Sequence, residues 1–183
     1  MPDIHHPRRG SHGFSPRKRA ISQTVHIKSW PEGGDKPKIQ GFLGYKAGMT
    51  HAFIVDYRPT STTSGKEVMV PVSVVETPPI KVAAIRFYHN TTHGLKTIGE
   101  IWADNVDPEL YKRIPSRKKE NKKDWEAFKD YDELSAIVYT QPKLVSGIPK
   151  KKPEIIELRI RGGTNEEQIE YAKNILGKEL TIR

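Results

Sequence analysis

Three histidines near the amino terminus, His5, His6 and His12, are the first residues whose type could do chemistry, because imidazole is a common metal ligand. A complete metal shell would need carboxylate or thiolate donors beside them. The segment offers no such set, and the chain contains no cysteine. We therefore expect structural histidines or histidines that contact nucleic acid, with no metal site and no cofactor.

The glycine-rich stretch Gly41–Thr50 has some features of a phosphate-binding loop. Its lysine, Lys46, does not directly precede the threonine, and no regular strand–loop–helix unit surrounds it. The spacing shows neither a Ser, His and acid set nor paired carboxylates in a credible cleft. The sequence therefore predicts no catalytic residues and no enzyme; a barrel enzyme with a flavin or nucleotide would need a convergent pocket, which the sequence does not show.

Basic side chains in three clusters carry the chemistry that the sequence supports. Residues 1–30 hold six basic side chains and one acidic, residues 112–123 hold seven and one, and residues 143–152 hold four and none. These clusters sum to +15 in a chain of net charge +9, so the remaining residues carry −6. A near-neutral or acidic body with strongly basic extensions indicates a nucleic-acid-binding protein, against the alternative of an ordinary solvated surface.

Candidate RNA-binding residues are the cations of these clusters and the aromatic residues among them. Arginine can contact phosphate through two hydrogen bonds, lysine adds a point charge, and aromatic rings stack on unpaired bases. Trp30 is a further stacking candidate, although Trp30 and Phe14 could equally pack against the fold. The predicted contacts are Arg8, Arg9, His12, Phe14, Arg17, Lys18, Arg19, Lys28, Tyr45, Lys46, Arg113, Arg117, Lys118, Lys119, Lys122, Lys123, Lys150, Lys151 and Lys152.

The elements that position these residues begin with an extended basic arm, residues 1–40. It shows neither helical nor strand periodicity, and glycine and proline interrupt its basic clusters. Such a segment cannot bury enough apolar area to offset the entropy of ordering it. We expect residues 1–30 to be disordered in the free protein and ordered on RNA.

Short strands follow in residues 41–103. Ala52–Val55, Val68–Val75 and Val82–Tyr88 are apolar or β-branched runs separated by turn residues, and Lys96–Ala103 is a weaker run. Pro71 cannot donate to a sheet ladder, which places its strand at an edge or a bulge. This spacing of strands is typical of a small barrel or sandwich.

Residues 104–135 form a charged insertion, with a helix predicted around Asp124 to Tyr131. Strands return in residues 136–183, where Ile156, Leu158 and Ile160 alternate with charged residues. Thr164 and Glu167 have the spacing of a capping box, so a helix should follow as far as Gly177. Its apolar face is predicted to be Ile169, Ala172 and Leu176, and a new strand begins at Glu179. The fold class is therefore mainly β with minor α.

Membrane and secreted classes are not supported. No apolar run approaches the ~18–20 residues of a transmembrane helix. The first ten residues are polar and basic, unlike a secretory signal. The absence of cysteine also excludes a disulfide scaffold. We expect an intracellular protein without a membrane partner.

Five motifs, in order along the chain, resemble one family. They are His12–Arg19, Gly41–Thr50, Glu76–Pro79, Tyr139–Pro142 and Gly162-Gly163. Together they resemble the large-subunit ribosomal protein L-three family in its archaeal and eukaryotic form. The resemblance implies a six-stranded β-barrel of the translation-protein type. It also implies a structural role without catalytic side chains, in which the protein binds large-subunit ribosomal RNA during assembly and lies near the peptidyl-transferase centre of the cytoplasmic ribosome.

The departure from that family is length, since its members are much longer than this chain. The missing part would carry further barrel strands, a glycine-rich basic segment and a long loop. We therefore expect an incomplete barrel here, because the strand that begins at Glu179 has no successor to pair with. Expected partners are ribosomal RNA, neighbouring large-subunit proteins and the missing carboxy-terminal half. The alternative is an independent nucleic-acid-binding or assembly factor built on the same half-barrel.

Overall fold

The structure, a computed structural model, describes residues 10, 18–27, 29–115, 125–128 and 130–182. Its strands are β1 (Lys38–Ile39), β2 (Tyr45–Val55), β3 (Glu67–Glu76), β4 (Ile80–Thr91), β5 (Gly94–Trp102), β6 (Glu133–Tyr139), β7 (Ile155–Arg161) and β8 (Glu179–Leu180). One α-helix, α1, spans Asn165–Ile175, and short 3-10 turns lie at Leu110–Lys112, Trp125–Phe128 and Pro142–Leu144.

These strands form two separate antiparallel sheets. The larger has the order β1-β7-β6-β4-β5, and β8 pairs with the first residues of β4. The smaller contains only β2 and β3 and is called the ribbon below. Within the described residues the sheets do not close into a barrel. The prediction of a mainly β, unclosed fold is confirmed.

The main hydrophobic core lies on one face of the larger sheet. Register brings Phe87 of β4 opposite Leu134 of β6, and Leu134 opposite Ile160 of β7, so alternate residues of three strands point to the same side. All three side chains are fully buried. Helix α1 covers this face through Ala172 and Ile175. The alternation predicted for β7 is therefore confirmed.

The start and end of α1 also agree with the sequence. Thr164 accepts a hydrogen bond from the Glu167 backbone N–H, and the Glu167 carboxylate accepts one from the Thr164 backbone N–H. This reciprocal pair is the predicted capping box. The helix ends before Gly177, whose φ of +74° suits glycine. Gln168 was not predicted on the buried face; its amide donates to the Gly162 carbonyl at 3.1 Å.

The helix predicted around Asp124 to Tyr131 differs from the structure, which has a single 3-10 turn at Trp125–Phe128. Three residues per turn place Trp125 and Phe128 on one side of the turn, and Tyr131 lies beyond its end. All three contact Phe87, with ring centroids 6.1, 4.8 and 5.5 Å away. Burial of these rings favours the tighter turn over an α-helix.

The opposite face of the larger sheet is polar. The Arg86 guanidinium contacts the Glu100 carboxylate at 2.6 Å and the Glu157 carboxylate at 3.0 Å. Tyr88 donates a 2.5 Å hydrogen bond to Glu157. These ion pairs hold the pKa of Arg86 above its ordinary value, against the opposing effect of desolvation. Two charged residues of β7 are thus paired across strands, Glu157 with Arg86 and Arg159 with Glu133.

The end of the predicted arm is a strand, which corrects the expectation of no strand structure in residues 1–40. Lys38 and Ile39 form β1 and pair with β7. Gly162, at φ +114°, lets the preceding chain cross close by, because an added Cβ would overlap the Lys36 carbonyl oxygen. Trp30 packs against the main core, so the packing alternative for this residue is confirmed. Most of residues 1–30 lies outside the described residues, and the predicted disorder there stays a prediction.

The ribbon buries little of its apolar surface. Met49, Phe53 and Met69 lie on one face and are 65, 68 and 61 % exposed. The opposite face carries a row of valines from β3, of which Val74 is also exposed. Both strands are edges, as the position of Pro71 in β3 predicts. Gly41–Thr50 runs into β2, so no strand–loop–helix phosphate site forms there.

Candidate nucleic-acid interface

A basic loop between β6 and β7, residues 141–154, is held firmly at its base. The Thr140 backbone N–H donates to the Glu154 carbonyl at 3.0 Å, and the Glu154 N–H donates to the Thr140 hydroxyl at 3.0 Å. Pro142, Val145 and Pro153 are buried. Because these apolar residues anchor the loop, its lysines are held at the surface rather than on a free segment.

The Glu154 carboxylate gathers cations from separate parts of the chain. It pairs with Lys150 of the same loop and with Arg113, whose Nη2 lies 3.4 Å away. Lys150 also donates to the Gln23 side-chain oxygen at 2.7 Å. The charged insertion and the loop, which hold two of the predicted basic clusters, therefore each supply a cation to one carboxylate, and the arm contacts the same place through Gln23.

Glu109, in the charged insertion, has a similar role. Its carboxylate pairs with Lys112, at 4.0 Å, and with Lys143. Residues 109–115 and 141–154 are thus joined by two acidic residues and form one surface, called the basic surface below. Lys151 and Lys152 are exposed at its loop. The two segments are far apart in the sequence, so this surface is visible only in the folded structure.

The basic surface stands on a small second core. Leu110 is fully buried beside Ala83 and Tyr139, on the sheet face opposite the main core. Asp107, one turn earlier, accepts hydrogen bonds from Lys81 at 2.8 Å and from the Tyr139 hydroxyl at 2.9 Å. The hydrogen bond from Lys81 lowers the pKa of Asp107, and that of Lys81 is raised in turn. These contacts fix the turn that carries the cations.

The charge balance of this surface favours anions. Residues 109–115 supply two cations and residues 141–154 supply four, against one carboxylate in each segment. Lys112, Arg113 and Lys143 are about half exposed. Their carboxylate partners are less exposed, at 22 % for Glu109 and 12 % for Glu154, so each cation can keep its ion pair and donate its remaining N–H groups to a polyanion. The arrangement can bind successive phosphates.

The structure distributes the predicted site residues unevenly. Arg113, Lys150, Lys151 and Lys152 lie on the basic surface. Lys18, Arg19 and Lys46 are exposed elsewhere. Tyr45 is half buried and donates a 2.8 Å hydrogen bond to Thr140, which ties the start of β2 to the loop base.

The remaining predicted contacts lie outside the described residues, as do His5 and His6. They are Arg8, Arg9, His12, Phe14, Arg17, Lys28, Arg117, Lys118, Lys119, Lys122 and Lys123.

Sequence reasoning missed the two carboxylates that organise the surface, Glu109 and Glu154. It also missed Tyr111, an exposed ring directly before Lys112 in the chain. Lys112 and Lys143 fell within the counted basic clusters but were not singled out. Tyr111 could have been found from its place directly before Lys112-Arg113. The roles of Glu109 and Glu154 depend on long-range contacts that spacing does not show.

Other site classes find no support in the part of the chain that the structure describes. No group of three His, Asp or Glu side chains there could hold a metal ion. No described helix is long and apolar enough to cross a membrane. The fold and the basic surface together define a class: a mainly β protein with a cationic face suited to phosphate.

Comparison with known proteins identifies the family within that class. The family model for ribosomal protein L3 matches residues 1–183, and the chain belongs to this family. Relatives named large ribosomal subunit protein uL3 are 50 % identical in Methanocaldococcus jannaschii and 44 % identical in Methanothrix harundinacea. The first match covers 98 % of this chain and 55 % of the relative, and the second covers 100 % and 56 %.

A third relative of the same name, from Archaeoglobus fulgidus, is 49 % identical over 97 % of this chain and 54 % of its own length. The chain therefore spans about half the length of the curated relatives it matches. The predicted family is confirmed, and the relatives carry the name of a ribosomal protein rather than that of an enzyme.

Proposed function

We propose that this chain is a structural constituent of the large ribosomal subunit that binds large-subunit ribosomal RNA through the basic surface. The observation that carries the proposal is the meeting of cations from two basic clusters, residues 112–123 and 143–152, at Glu109 and Glu154. Family membership supplies the kind of nucleic acid, because the relatives are large-subunit ribosomal proteins.

Phosphate is the ligand group that this surface suits best. Its cations are spread over two anchored segments rather than collected in one pocket, so they match a repeating polyanion better than a small molecule. Arg113 can contact one phosphate through two hydrogen bonds, while Lys151 and Lys152 add point charges. Binding is expected to release counterions from the RNA, while Glu109 and Glu154 hold the cations in place.

The finer placement comes from the family resemblance. We propose that the protein acts in the cytoplasmic ribosome, beside other large-subunit proteins, and that it supports RNA assembly and organisation near the peptidyl-transferase centre. Its contribution there would be binding and positioning, without catalytic side chains. An independent assembly factor is the competing function, and cosedimentation with large subunits in high salt separates the two, because only a constituent remains bound.

The test of RNA binding uses two matched double variants and a transcript of archaeal large-subunit ribosomal RNA. Lys151→Ala/Lys152→Ala removes two exposed cations from the basic surface. Lys66→Ala/Lys96→Ala removes two exposed cations from the ribbon loop and β5. We expect the first variant to weaken binding and to reduce the slope of log affinity against log salt by about one per lysine. The second should resemble the parent chain. Equal behaviour of the two variants would move the interface elsewhere.

We further propose that the ribbon is covered by another polypeptide segment, of the kind that makes up the rest of the longer relatives. Phe53 and Met69 face each other across the ribbon and are both largely exposed. A two-stranded ribbon is only marginally stable in water by itself. The relatives' additional length supports this occupant over a second copy of the chain.

Hydrogen exchange tests that proposal. The unmatched part of the Methanocaldococcus jannaschii relative, added to this chain, should raise protection in β2 and β3. Protection in β4 and β6 should stay the same, because both strands are already paired on each side over part of their length. If β2 is as protected as β6 in the chain alone, or gains nothing on addition, the proposal fails.

A further inference from the structure

Tyr111 is an aromatic side chain that the fold holds at the surface. It lies in the middle of the Leu110–Lys112 turn and is 41 % exposed. In the described part of the chain, neither its ring nor its hydroxyl has an aromatic or hydrogen-bonding partner.

The backbone beneath Tyr111 is held rigidly. The Lys112 N–H donates to the Glu109 carbonyl at 3.1 Å, and the Arg113 N–H donates to the Leu110 carbonyl at 2.9 Å. Leu110 itself is fully buried, and its N–H donates to the Asp107 carbonyl at 3.1 Å. A ligand that contacts the ring would therefore lose little free energy to ordering the turn.

Cations follow the ring directly in the chain, since Lys112 and Arg113 come after Tyr111. Glu109, two residues before the ring, pairs with Lys112 and Lys143, and Glu154 pairs with Arg113. An exposed ring on a turn that also carries positive charges suits a flat group that carries phosphate. An unpaired nucleotide has both parts: its base presents a π-face, and its backbone carries the charge.

We propose that Tyr111 is the stacking site for an unpaired base of the bound RNA, with the adjacent phosphates on Lys112, Arg113 and Lys143. This inference rests on the proposed RNA-binding function and adds to it a preference for single-stranded or bulged nucleotides. Bases within a regular duplex are stacked on each other, and their faces are closed to a tyrosine ring. The basic surface would thus recognise unpaired nucleotides as well as phosphate charge.

The test compares two probes, a short single-stranded oligoadenylate and an RNA duplex of the same length, with the full 183-residue chain. Tyr111→Ala should weaken binding of the single strand by about tenfold and leave the duplex unchanged. Tyr111→Phe should keep the parent affinity, because stacking needs the ring and not the hydroxyl. Tyr57→Ala is the matched control, since Tyr57 is 85 % exposed but lies in the ribbon loop.

The salt dependence separates this inference from the proposed function. Tyr111→Ala should leave the salt slope unchanged, whereas Lys151→Ala/Lys152→Ala should reduce it. If Tyr111→Ala binds the single strand like the parent, or loses affinity equally for both probes, stacking is overturned while the function stands. If the parent chain binds the ribosomal RNA transcript but neither probe, stacking is overturned while the function stands, and if it binds none of the three RNAs, both fail. An unchanged unfolding midpoint for Tyr111→Ala confirms that the variant is folded.

Discussion

The larger sheet and the ribbon are built from similar residues, and their burial differs sharply. β4 carries Ile80, Val82, Ile85 and Phe87, all essentially inaccessible to water. β3 carries an equally β-branched run, Val68–Val75, and much of it is half exposed or exposed. The difference lies in the neighbours, because β4 is paired on both sides and covered by α1, while β3 pairs only with β2. Burial in this molecule follows the partners available to a strand rather than its composition.

The largest expected contrast comes from removing one phenylalanine from each region. Phe87→Ala should lower the free energy of unfolding by about 3–5 kcal/mol, because the ring is fully buried against Phe128 and Tyr131. Phe53→Ala should change it by less than about 0.5 kcal/mol, since that ring is already largely in water. Urea denaturation measures both.

If Phe87→Ala does not fold, the free energy of unfolding of the milder Phe87→Leu variant is measured instead. Similar losses for the Phe53 and Phe87 variants would show that the ribbon is packed in solution and would remove the contrast.

Two glycines, one in the larger sheet and one in the ribbon, should show a smaller difference in stability between the two regions. A Cβ at Gly99 of β5 would lie 2.5 Å from the Phe128 ring, whereas a Cβ at Gly48 of β2 would meet nothing within 4 Å. Gly99→Ala should therefore cost about 1–3 kcal/mol through overpacking. Gly48→Ala should be neutral or stabilise the chain by up to about 1 kcal/mol, through the unfolded state. Thermal unfolding of the two single variants measures both effects. A loss of stability in Gly48→Ala would contradict the finding that the space around Gly48 in the ribbon is empty.

The smallest expected effect is local and depends on pH. In the loop of the ribbon, the Asp56 carboxylate accepts hydrogen bonds from the Arg58 side chain at 2.9 Å and from the Thr63 hydroxyl at 2.6 Å. These contacts, that from Arg58 foremost, hold the pKa of Asp56 well below its ordinary value of 3.8. A lowered pKa means that the unfolded loop binds the proton more readily. The contribution of Asp56 is thus complete above about pH 4 and is lost as the pH falls further.

NMR shifts of the Arg58 and Gly65 amides report the opening of this loop. They should move as the parent chain is acidified below about pH 4, while amides of β4 and β6 stay in place. Asp56→Asn should show the open shifts already at neutral pH. A loop that behaves identically in the two chains would mean that the carboxylate does not hold it.

Local patterns allowed much of the fold to be predicted. The alternation in β7 and the capping box before α1 are short-range signals, and both elements lie where they were expected. The 3-10 turn at Trp125–Phe128 was missed because its form depends on Phe87, a residue far away in the sequence. β1 was missed for the same reason: Lys38 and Ile39 are a strand only because β7 pairs with them.

The candidate site shows the same limit. Charge counts located the basic segments, since clusters of lysine and arginine are visible in any window. Their meeting point was not predictable, because it depends on Glu109 and Glu154 each reaching a cation from another segment. Tyr111 needed the structure as well, since its exposure follows from the burial of Leu110 beside it.

The pairing of β4 with strands that all follow it in the sequence has a consequence for synthesis. Its partners extend to Leu180 in β8, so the larger sheet cannot be completed until synthesis has passed Leu180. The ribbon needs only the residues up to Glu76, and a local antiparallel pair forms within microseconds. The ribosome adds about 5–20 residues per second, so the ribbon can form seconds before the sheet. The nascent chain therefore presents its most exposed apolar surface first, at the stage when chaperones meet it.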